Sequence, residues 1–556
     1  MGVADALRSE LSEALKSVGV SVAPGEVPLE HPSELQNGDY STSVAMQYTK
    51  EANVAPRNLA EKLVAALGAI DGVAKTEIAG AGFINFYLAP QALAASLEKA
   101  RAEDMWGANE TLERKKIMVE YTDPNPFKEF HIGHLMSNAI GESLARLLEF
   151  SGAEVKRANY QGDIGPHVAK AIWGLRKLGL DASLPASLGK AYAAGANAYE
   201  EDEAAKAEID AINKKIYDHS DAGIGALYAT GREASLKHFE DIYGTLGTKF
   251  DYYFFESVTA PKGMEIVHAH GDVFEESDGA TVYKGEKDGL HTRVFLTSQG
   301  LPTYETKDLG LAELKAETWP FDESITVTAH EQGGYFAVVL AAMKKVMPEI
   351  AAKIKHVSHG MMRFAEGKMS SRTGNVVTGE SLLRELTEAA KRRASESRAG
   401  DTEKLAQDIA VAAIKYQVLR QQSRKDIIFD RERALSLEGD SGPYLQYAYA
   451  RANAVVEKAE KVGVKAAVDA DAEAIELTRL VHRFPEAVEY AARELEPHLL
   501  TNYLLELASR FNSWYAQVHI LDSSSESPHK VAVTDAVRKT LKNGLWILGI
   551  PSPEHM

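Results

Sequence analysis

The stretch KIMVEYTDPNPFKEFHIGHLMSNAIGESLARLLEF, residues 116–150, decides the fold. IMVEY is a short apolar run with a β-branched residue and predicts a buried strand. DPNP predicts a loop, and apolar residues then recur every three to four positions from Met136 to Leu147. That spacing predicts a helix, which Gly152 ends. AEVKRANY, residues 153–160, predicts the next strand, so the β–α–β order predicts a parallel, doubly wound, Rossmann-like sheet.

Two histidines, His131 and His134, stand at the predicted strand-to-helix junction. A zinc-binding helix places its histidines at i and i+4 with a glutamate between them, whereas this spacing is i, i+3. Metal binding is therefore disfavoured, and two partly buried histidines at a helix start remain the simplest interpretation of the motif alone. Gly133 changes that balance, because a missing side chain lets a ligand approach the free N–H groups of a helix N-terminus. The junction predicts a nucleotide-phosphate site.

The composition excludes several classes of protein. The chain has no cysteine, which removes disulfides, cysteine-ligated zinc and cysteine nucleophiles. It carries 80 acidic and 62 basic residues, and the net charge of −18 argues against nucleic-acid binding by the whole surface while leaving room for a local basic track. The longest apolar runs, such as AVVLAAM at 337–343, are too short to span a membrane. We expect a soluble, cytoplasmic protein without a membrane anchor.

Patterns along the chain predict three domains. A small α+β module fills residues 1–113, with helices at 3–17 and 56–68 and a strand pair at VAKTEIA and GFINFYL. The α/β domain covers 114–400. The last domain, 401–556, is predicted to be wholly helical, since no strand pattern follows about residue 380.

The alternation of strands and helices predicted for the α/β domain is interrupted. Residues from about 165 to 290 read as inserted material, with a long helical stretch and a hairpin whose turn is SDG. The rhythm of alternating strands and helices is predicted to resume with RVFLTS at 293–298, SITVTAH at 324–330 and KHVSHGMM at 355–362.

A second motif, AEGKMSSRTGNVV, occupies residues 365–377. Its composition is typical of a solvated surface loop. It also suits a mobile cationic clamp, in which Gly367 and Gly374 act as hinges while Lys368 and Arg372 neutralise a departing diphosphate.

Together the two motifs carry a specific resemblance. HIGH begins at residue 131 and KMSS at residue 368, a separation of 237 positions, and this ordered pair resembles the signature of class I aminoacyl-tRNA synthetases. Longer stretches resemble the arginyl-tRNA synthetase family, both in the catalytic part and in the N-terminal NGDYSTSVAM and the C-terminal LKNGLWILGIPSPEHM. One departure is Ser371, which stands where the family signature usually has a second lysine.

The resemblance implies an arginine site. It places Glu120 and Asn125 near the α-amino end of the substrate, and Tyr304, Asp308 and Gln332 around its side chain, with His134 also in contact. The residue types also suit arginine, because a guanidinium carries planar N–H donors that a carboxylate accepts in a bidentate way. Each acidic residue taken alone could equally be an ordinary surface charge.

The resemblance also implies ATP, supplied with Mg²⁺ as a substrate complex, and no zinc or other protein-bound metal. Catalytic roles fall on His131, His134, Lys368, Ser370 and Arg372. The residues expected to contact ATP are His131, Gly133, His134, Gly360, Met361, Met362, Lys368, Met369, Ser370 and Ser371.

The remaining implied partner is tRNA(Arg), which the family requires for efficient arginine activation. An all-α anticodon-binding domain is expected at the C-terminus, in a protein that acts as a monomer. The basic segments KRRASESR (391–398) and RQQSRKDIIFDRER (420–433) could follow the tRNA backbone or be solvated helix faces. The tyrosines of GPYLQYAYAR (442–451) could stack on bases, but core packing is the commoner role for aromatics at helical spacing.

Overall fold

The structure is a computed structural model, and it describes residues 2–32, 34–364, 377–394, 401–522 and 524–556. The chain forms two compact units. The first comprises residues 1–106, 452–484 and 510–540, and the second comprises 107–451, 485–509 and 541–556. The three domain ranges expected from the sequence stay a prediction.

The first unit begins with a small α+β module. Its elements are α1 (Val3–Ser17), β1 (Tyr40–Thr42), α2 (Val44–Gln47), α3 (Thr49–Ala52), α4 (Pro56–Ala66), β2 (Val73–Ala79), β3 (Phe83–Leu88) and α5 (Pro90–Ala102). The strands form an antiparallel sheet in the order β1-β3-β2, and the side chains of Leu7, Leu59 and Phe86 are buried in its core. The two helices and the strand pair predicted here are confirmed.

The second unit carries the α/β elements. They are β4 (Lys116–Glu120), α6 (Ile132–Phe150), β5 (Glu154–Gln161), α7 (Pro166–Leu178), α8 (Pro185–Glu201), α9 (Glu203–Asp218), α10 (Ala222–Leu246), β6 (Tyr252–Phe255), α11 (Glu256–Ala269), β7 (Glu275–Ser277), β8 (Ala280–Tyr283), β9 (Arg293–Leu296), α12 (Tyr304–Thr318), β10 (Glu323–Ala329), α13 (Gly333–Val346), α14 (Pro348–Ala351), β11 (Ile354–His359) and β12 (Met362–Phe364).

Helices dominate the rest of the chain. They are α15 (Gly379–Ala394), α16 (Thr402–Leu419), α17 (Arg431–Ala434), α18 (Gly442–Val462), α19 (Glu476–Glu494), α20 (Pro497–Gln517) and α21 (Ser527–Ile547), and β13 (Ile427–Phe429) lies between α16 and α17. No helix in the described ranges is long and apolar enough to cross a membrane.

A five-stranded parallel sheet organises the second unit, in the order β11-β10-β4-β5-β6. The chain runs from β4 outward to β5 and β6, and returns on the other side of β4 with β10. The ends of β4 and β10 therefore mark the point where the strand order reverses, which is where doubly wound sheets form their ligand crevice. The predicted fold class is confirmed.

Three local predictions need correction. RVFLTS forms β9, but this strand joins the antiparallel sheet β7-β8-β9 instead of the parallel sheet. KHVSHGMM splits into β11 and β12, because the backbone changes partners between them: the Gly360 N–H donates to the Ser423 carbonyl at 2.8 Å, and β12 pairs with β13. The region after residue 380 is not wholly helical, since β13 pairs with β12. In addition, β6 lies inside the interval 165–290 and yet forms an edge of the parallel sheet.

Candidate active site

The loop between β4 and α6 is held in a strained conformation. Thr122, Asp123 and Phe127 have φ values of 79°, 47° and 68°, a region that side chains with a Cβ rarely adopt. Buried polar contacts from α6 hold it: the Thr122 N–H donates to Ser137 Oγ at 2.9 Å, and Asn138 Nδ2 donates to Thr122 Oγ1 at 3.1 Å. Strain that surrounding contacts enforce in this way is typical of ligand sites.

The two histidines cap α6. The Gly133 N–H donates to His131 Nδ1 and the His131 N–H donates to His134 Nδ1, both at 3.1 Å. The rings are stacked, with centroids 3.5 Å apart. Since each Nδ1 accepts a hydrogen bond, the proton of each neutral ring sits on Nε2. Gly133 protects this arrangement, because a Cβ there would lie 3.0 Å from the His131 ring.

Both imidazoles are neutral at physiological pH. Burial, with a contribution from Lys128, lowers the pKa of His131 to about 4. Burial lowers the pKa of His134 well below its ordinary value. A neutral ring protonated on Nε2 has no lone pair there for a metal, but it can donate a hydrogen bond to an anion. Among the described residues, no group of three or more His, Asp or Glu could hold a metal ion.

A cavity of about 580 Å³ opens over the ends of β4 and β10. The structure brings eight of the predicted residues to its wall, namely Glu120, Asn125, His131, Gly133, His134, Tyr304, Asp308 and Gln332. Tyr304 is 54% exposed and stands at the edge, whereas Glu120 is buried. Asn125 Oδ1 accepts the Gly162 N–H at 3.0 Å, which fixes its side chain against the end of β5.

Carboxylates crowd one end of the cavity, where Glu120, Glu256 and Glu305 are buried and Asp123 and Asp308 are half-buried. Asp308 Oδ2 accepts the Tyr335 hydroxyl at 2.5 Å, and Glu120 Oε2 lies 3.1 Å from Lys315 Nζ. Burial raises the pKa of Asp308 to about 8, with smaller contributions from neighbouring glutamates, while the Tyr335 hydrogen bond opposes the rise. Burial and the charge of Glu120 also raise the pKa of Asp123. This end of the cavity is poised to receive a cation, because a bound positive charge would stabilise the ionised carboxylates.

Other predicted residues lie elsewhere. Gly360, Met361 and Met362 follow β11 and do not line the cavity, although His359 just before them does. The clamp residues Lys368, Met369, Ser370, Ser371 and Arg372 lie outside the described residues.

Sequence reasoning missed four residues near the carboxylates: Glu256, Lys307, Lys315 and Tyr335. Lys315 is two helical turns after Asp308 on α12, a spacing that could have pointed to it. Glu256 directly follows β6, and reading β6 as a parallel strand would have placed it at the same edge of the sheet. Lys307 Nζ pairs with Glu256 Oε2 at 2.5 Å. No local signal marks Tyr335, since α13 carries it to Asp308 from a separate element.

The two basic segments, 391–398 and 420–433, differ in what the structure describes of them. Arg420 and Arg433 both pair with Asp440, and Arg431 pairs with Glu385. The segment 391–398 lies partly outside the described residues. Of the three tyrosines in 442–451, Tyr449 is fully buried, in keeping with a core role.

Family comparisons cover nearly the whole chain. The model for the catalytic domain of class I tRNA synthetases (R) matches residues 96–431. The arginyl tRNA synthetase N-terminal domain matches residues 5–88, and the DALR anticodon binding domain matches residues 445–556.

Individual relatives agree with these matches. The arginine–tRNA ligase of Lactobacillus delbrueckii subsp. bulgaricus is 32% identical, covering 98% of this chain and 99% of that protein. The arginine–tRNA ligase of Clostridium botulinum is 31% identical, covering 99% and 100%. The structure of Thermus thermophilus arginyl-tRNA synthetase superposes with a TM-score of 0.84 at 26% identity, covering 99% of both chains.

The resemblance drawn from HIGH and KMSS is thereby confirmed. Since the catalytic-domain model spans most of the chain and the relatives match it almost from end to end, this chain belongs to the arginyl-tRNA synthetase family of class I aminoacyl-tRNA synthetases.

Proposed function

We propose that this chain is an arginine–tRNA ligase, which activates L-arginine with ATP and transfers it to tRNA(Arg), releasing AMP and diphosphate. The observation that carries the proposal is the pairing of two features in one cavity. A cluster of buried and half-buried carboxylates around Asp308 lies beside a helix N-terminus capped by two neutral histidines.

The carboxylate end binds the amino acid. Asp308 pairs with the guanidinium, which matches a carboxylate in a bidentate way and relieves the crowding of negative charge. Tyr304 and Gln332 border the side chain of the bound arginine, while Glu120 and Asn125 bind its α-amino group. Lysine has a different donor geometry and leaves buried acceptors unpaired, so rejection by roughly 10⁴-fold needs no editing step.

The histidine end binds ATP. His131 and His134 present their Nε2–H groups to the phosphates, and the N-terminus of α6 adds positive potential. ATP enters with Mg²⁺ as its substrate complex, and the ion shares the phosphate charge. Lys368 and Arg372 are assigned to the departing diphosphate, with Ser370 beside them. Gly360, Met361 and Met362 are assigned to adenine through their backbone.

The reaction then has two steps. A carboxylate oxygen of arginine attacks the α-phosphorus of ATP, the bond to the β-phosphate oxygen breaks, and diphosphate leaves. The 2′-hydroxyl oxygen of the terminal adenosine of tRNA next attacks the arginyl carbonyl, the anhydride bond between that carbonyl and the AMP oxygen breaks, and AMP and the hydroxyl proton are released. No protein nucleophile takes part, so positioning and electrostatic stabilisation supply the catalysis. The C-terminal helices are assigned to the anticodon. The monomeric state, the cytoplasmic location and the requirement for tRNA stay predictions.

Charging assays test the proposal. We expect the protein to aminoacylate tRNA(Arg) with arginine and not with lysine. Asp308→Asn should raise the KM for arginine at least roughly a hundredfold, since the charged partner of the guanidinium is lost, and leave the KM for ATP nearly unchanged. Glu313→Gln is the matched control, because it removes a carboxylate from the same helix outside the cavity wall. Charging with lysine, or equal loss of arginine and ATP binding in Asp308→Asn, would contradict the proposal.

A further inference from the structure

One wall of the cavity is built by a hydrogen bond between two helices. Tyr335 on α13 reaches across to Asp308 on α12, and its hydroxyl donates to Oδ2 at 2.5 Å. The Arg293 guanidinium carbon lies over the Tyr335 ring, 5.8 Å from the ring centroid, and Arg293 Nη1 is 3.3 Å from Glu305 Oε1. Tyr335 is thus held by contacts with β9 as well as with α12.

The carboxylates near Asp308 differ in their partners. Glu120 pairs with Lys315, Glu256 pairs with Lys307, and Glu305 pairs with Arg293. Within the described ranges, Asp308 has no ion pair, and the Tyr335 hydroxyl is the hydrogen-bond donor to its carboxylate. Asp123, which accepts the Tyr160 N–H, has no ion pair in these ranges either, and Asp308 differs from it in receiving a side-chain hydroxyl. Asp308 therefore has room for a cation from outside the chain.

We propose that Tyr335 is a positioning residue of the arginine site, whose hydroxyl orients the Asp308 carboxylate and favours the ionised form that pairs with a guanidinium. This inference rests on the proposed function. A hydrogen bond donated to a carboxylate stabilises the charged form over the protonated one. It also fixes the plane of the carboxylate, which a bidentate partner must match.

A pH dependence follows. The groups facing Asp308 are Tyr335 on α13, Glu305 on α12, Glu120 on β4, Asp123 in the following loop, Tyr160 on β5 and Glu256 on α11. Burial, with smaller contributions from Glu120, Glu256 and Glu305, raises the pKa of Asp308 to about 8, and the Tyr335 hydroxyl opposes that rise. Without the hydroxyl the pKa rises further, so a smaller fraction of the enzyme is ready for arginine at neutral pH.

The test compares Tyr335→Phe with the wild type in tRNA charging from pH 6 to 9.5. At pH 7 we expect the KM for arginine to rise about tenfold, with kcat and the KM for ATP changing much less. The deficit in KM should shrink toward pH 9.5, where Asp308 is ionised in both enzymes. Titration of the substrate's own amino group is common to both and cancels in the ratio.

Tyr283→Phe is the matched control. The Tyr283 hydroxyl also donates to an aspartate, Asp288 Oδ2, at 2.5 Å, but this pair does not line the cavity. We expect its arginine KM to follow that of the wild type at every pH. An unchanged KM in Tyr335→Phe, a deficit that is equal at all pH values, or equal loss of ATP and arginine affinity would overturn the inference. A wild type that does not charge arginine would overturn the proposed function, and the inference with it.

Discussion

Several side chains in this cavity are held in position by hydrogen bonds from backbone N–H groups. Both histidines accept backbone N–H groups, and Asn125 accepts the N–H of Gly162. Such bonds tie each side chain to a fixed strand end or helix start, so the functional atoms that remain have defined directions. Gly162 is the tightest of these positions, because a Cβ there would lie 2.4 Å from Asn125 Oδ1 and 3.0 Å from Glu256 Oε1.

Gly162→Ala tests this placement. The added methyl group must displace Asn125, so we expect the KM for arginine to rise roughly tenfold to a hundredfold. Gly225→Ala on α10 is the control, since among the described residues no atom lies within 4 Å of its added Cβ. That variant should keep wild-type kinetics and gain about 0.5–1 kcal/mol of stability from the lower entropy of its unfolded chain. Identical kinetics for the two variants would contradict the inference that Gly162 holds the Asn125 side chain in position.

At the scale of elements, α6 both presents the histidines and supports the loop before it. Ser137 is central to that support: its Oγ accepts the Thr122 N–H and donates to the Val327 carbonyl of β10, both at 2.9 Å. The strained loop, α6 and the middle of the sheet therefore share one buried hydroxyl. Ser143, one and a half turns further along α6, is equally buried, but its Oγ has no hydrogen-bond partner in the part of the chain that the structure describes.

Ser137→Ala should therefore lower the free energy of unfolding more than Ser143→Ala does. The first change leaves a buried N–H and a buried carbonyl without their partner, so we expect a loss of about 1–3 kcal/mol in the free energy of unfolding. Because the loop loses a restraint, KM values for ATP and arginine should rise as well. Ser143→Ala removes a hydroxyl without a partner and should be neutral or slightly stabilising. Denaturant titration and charging kinetics measure both, and equal losses would refute the assigned support.

At the scale of the whole molecule, the second unit joins distant parts of the chain at Lys415 on α16. This buried amine donates to the carbonyls of Leu246, at the end of α10, and of Gly549, near the chain end, at 2.7 and 2.8 Å. Burial, with the charge of Arg146 adding to it, lowers the pKa of Lys415 to about 7. A neutral amine has two N–H donors, which match the two carbonyls.

The lowered pKa of Lys415 makes the stability of the fold depend on pH in a defined direction. An unfolded lysine keeps a pKa of about 10.4, so between about pH 7 and pH 10 the unfolded state binds more protons than the folded state. The stability contributed by Lys415 therefore rises with pH across that window. We expect the wild type to gain stability relative to Lys415→Met between pH 7 and 9.5 in urea unfolding. The exposed Lys214→Met is the control, and its difference from the wild type should stay flat; parallel curves for Lys415→Met would contradict the prediction.

How much the sequence predicted depended on whether a pattern was local. The β4–α6–β5 unit, the N-terminal strand pair and the histidine motif were predicted because each pattern is contiguous. β6 was missed because YYFF is four residues long and follows a long helical stretch. β9 was predicted as a strand but assigned to the wrong sheet, since hydrogen-bond partners of a strand are not written in its own residues.

Local patterns in the sequence indicated the family, the parallel sheet and eight residues of the cavity wall, because helical periodicity, strand patterns and the HIGH turn are short-range. Which charges meet depends on the tertiary structure. Lys315, Lys307 and Arg293 each neutralise a glutamate, whereas within the described residues Asp308 receives the hydroxyl of Tyr335 and no cation. These partners come from separate elements that the sheet brings together. Their effect is electrostatic, and it depends on distance and burial in space, whatever their separation along the chain.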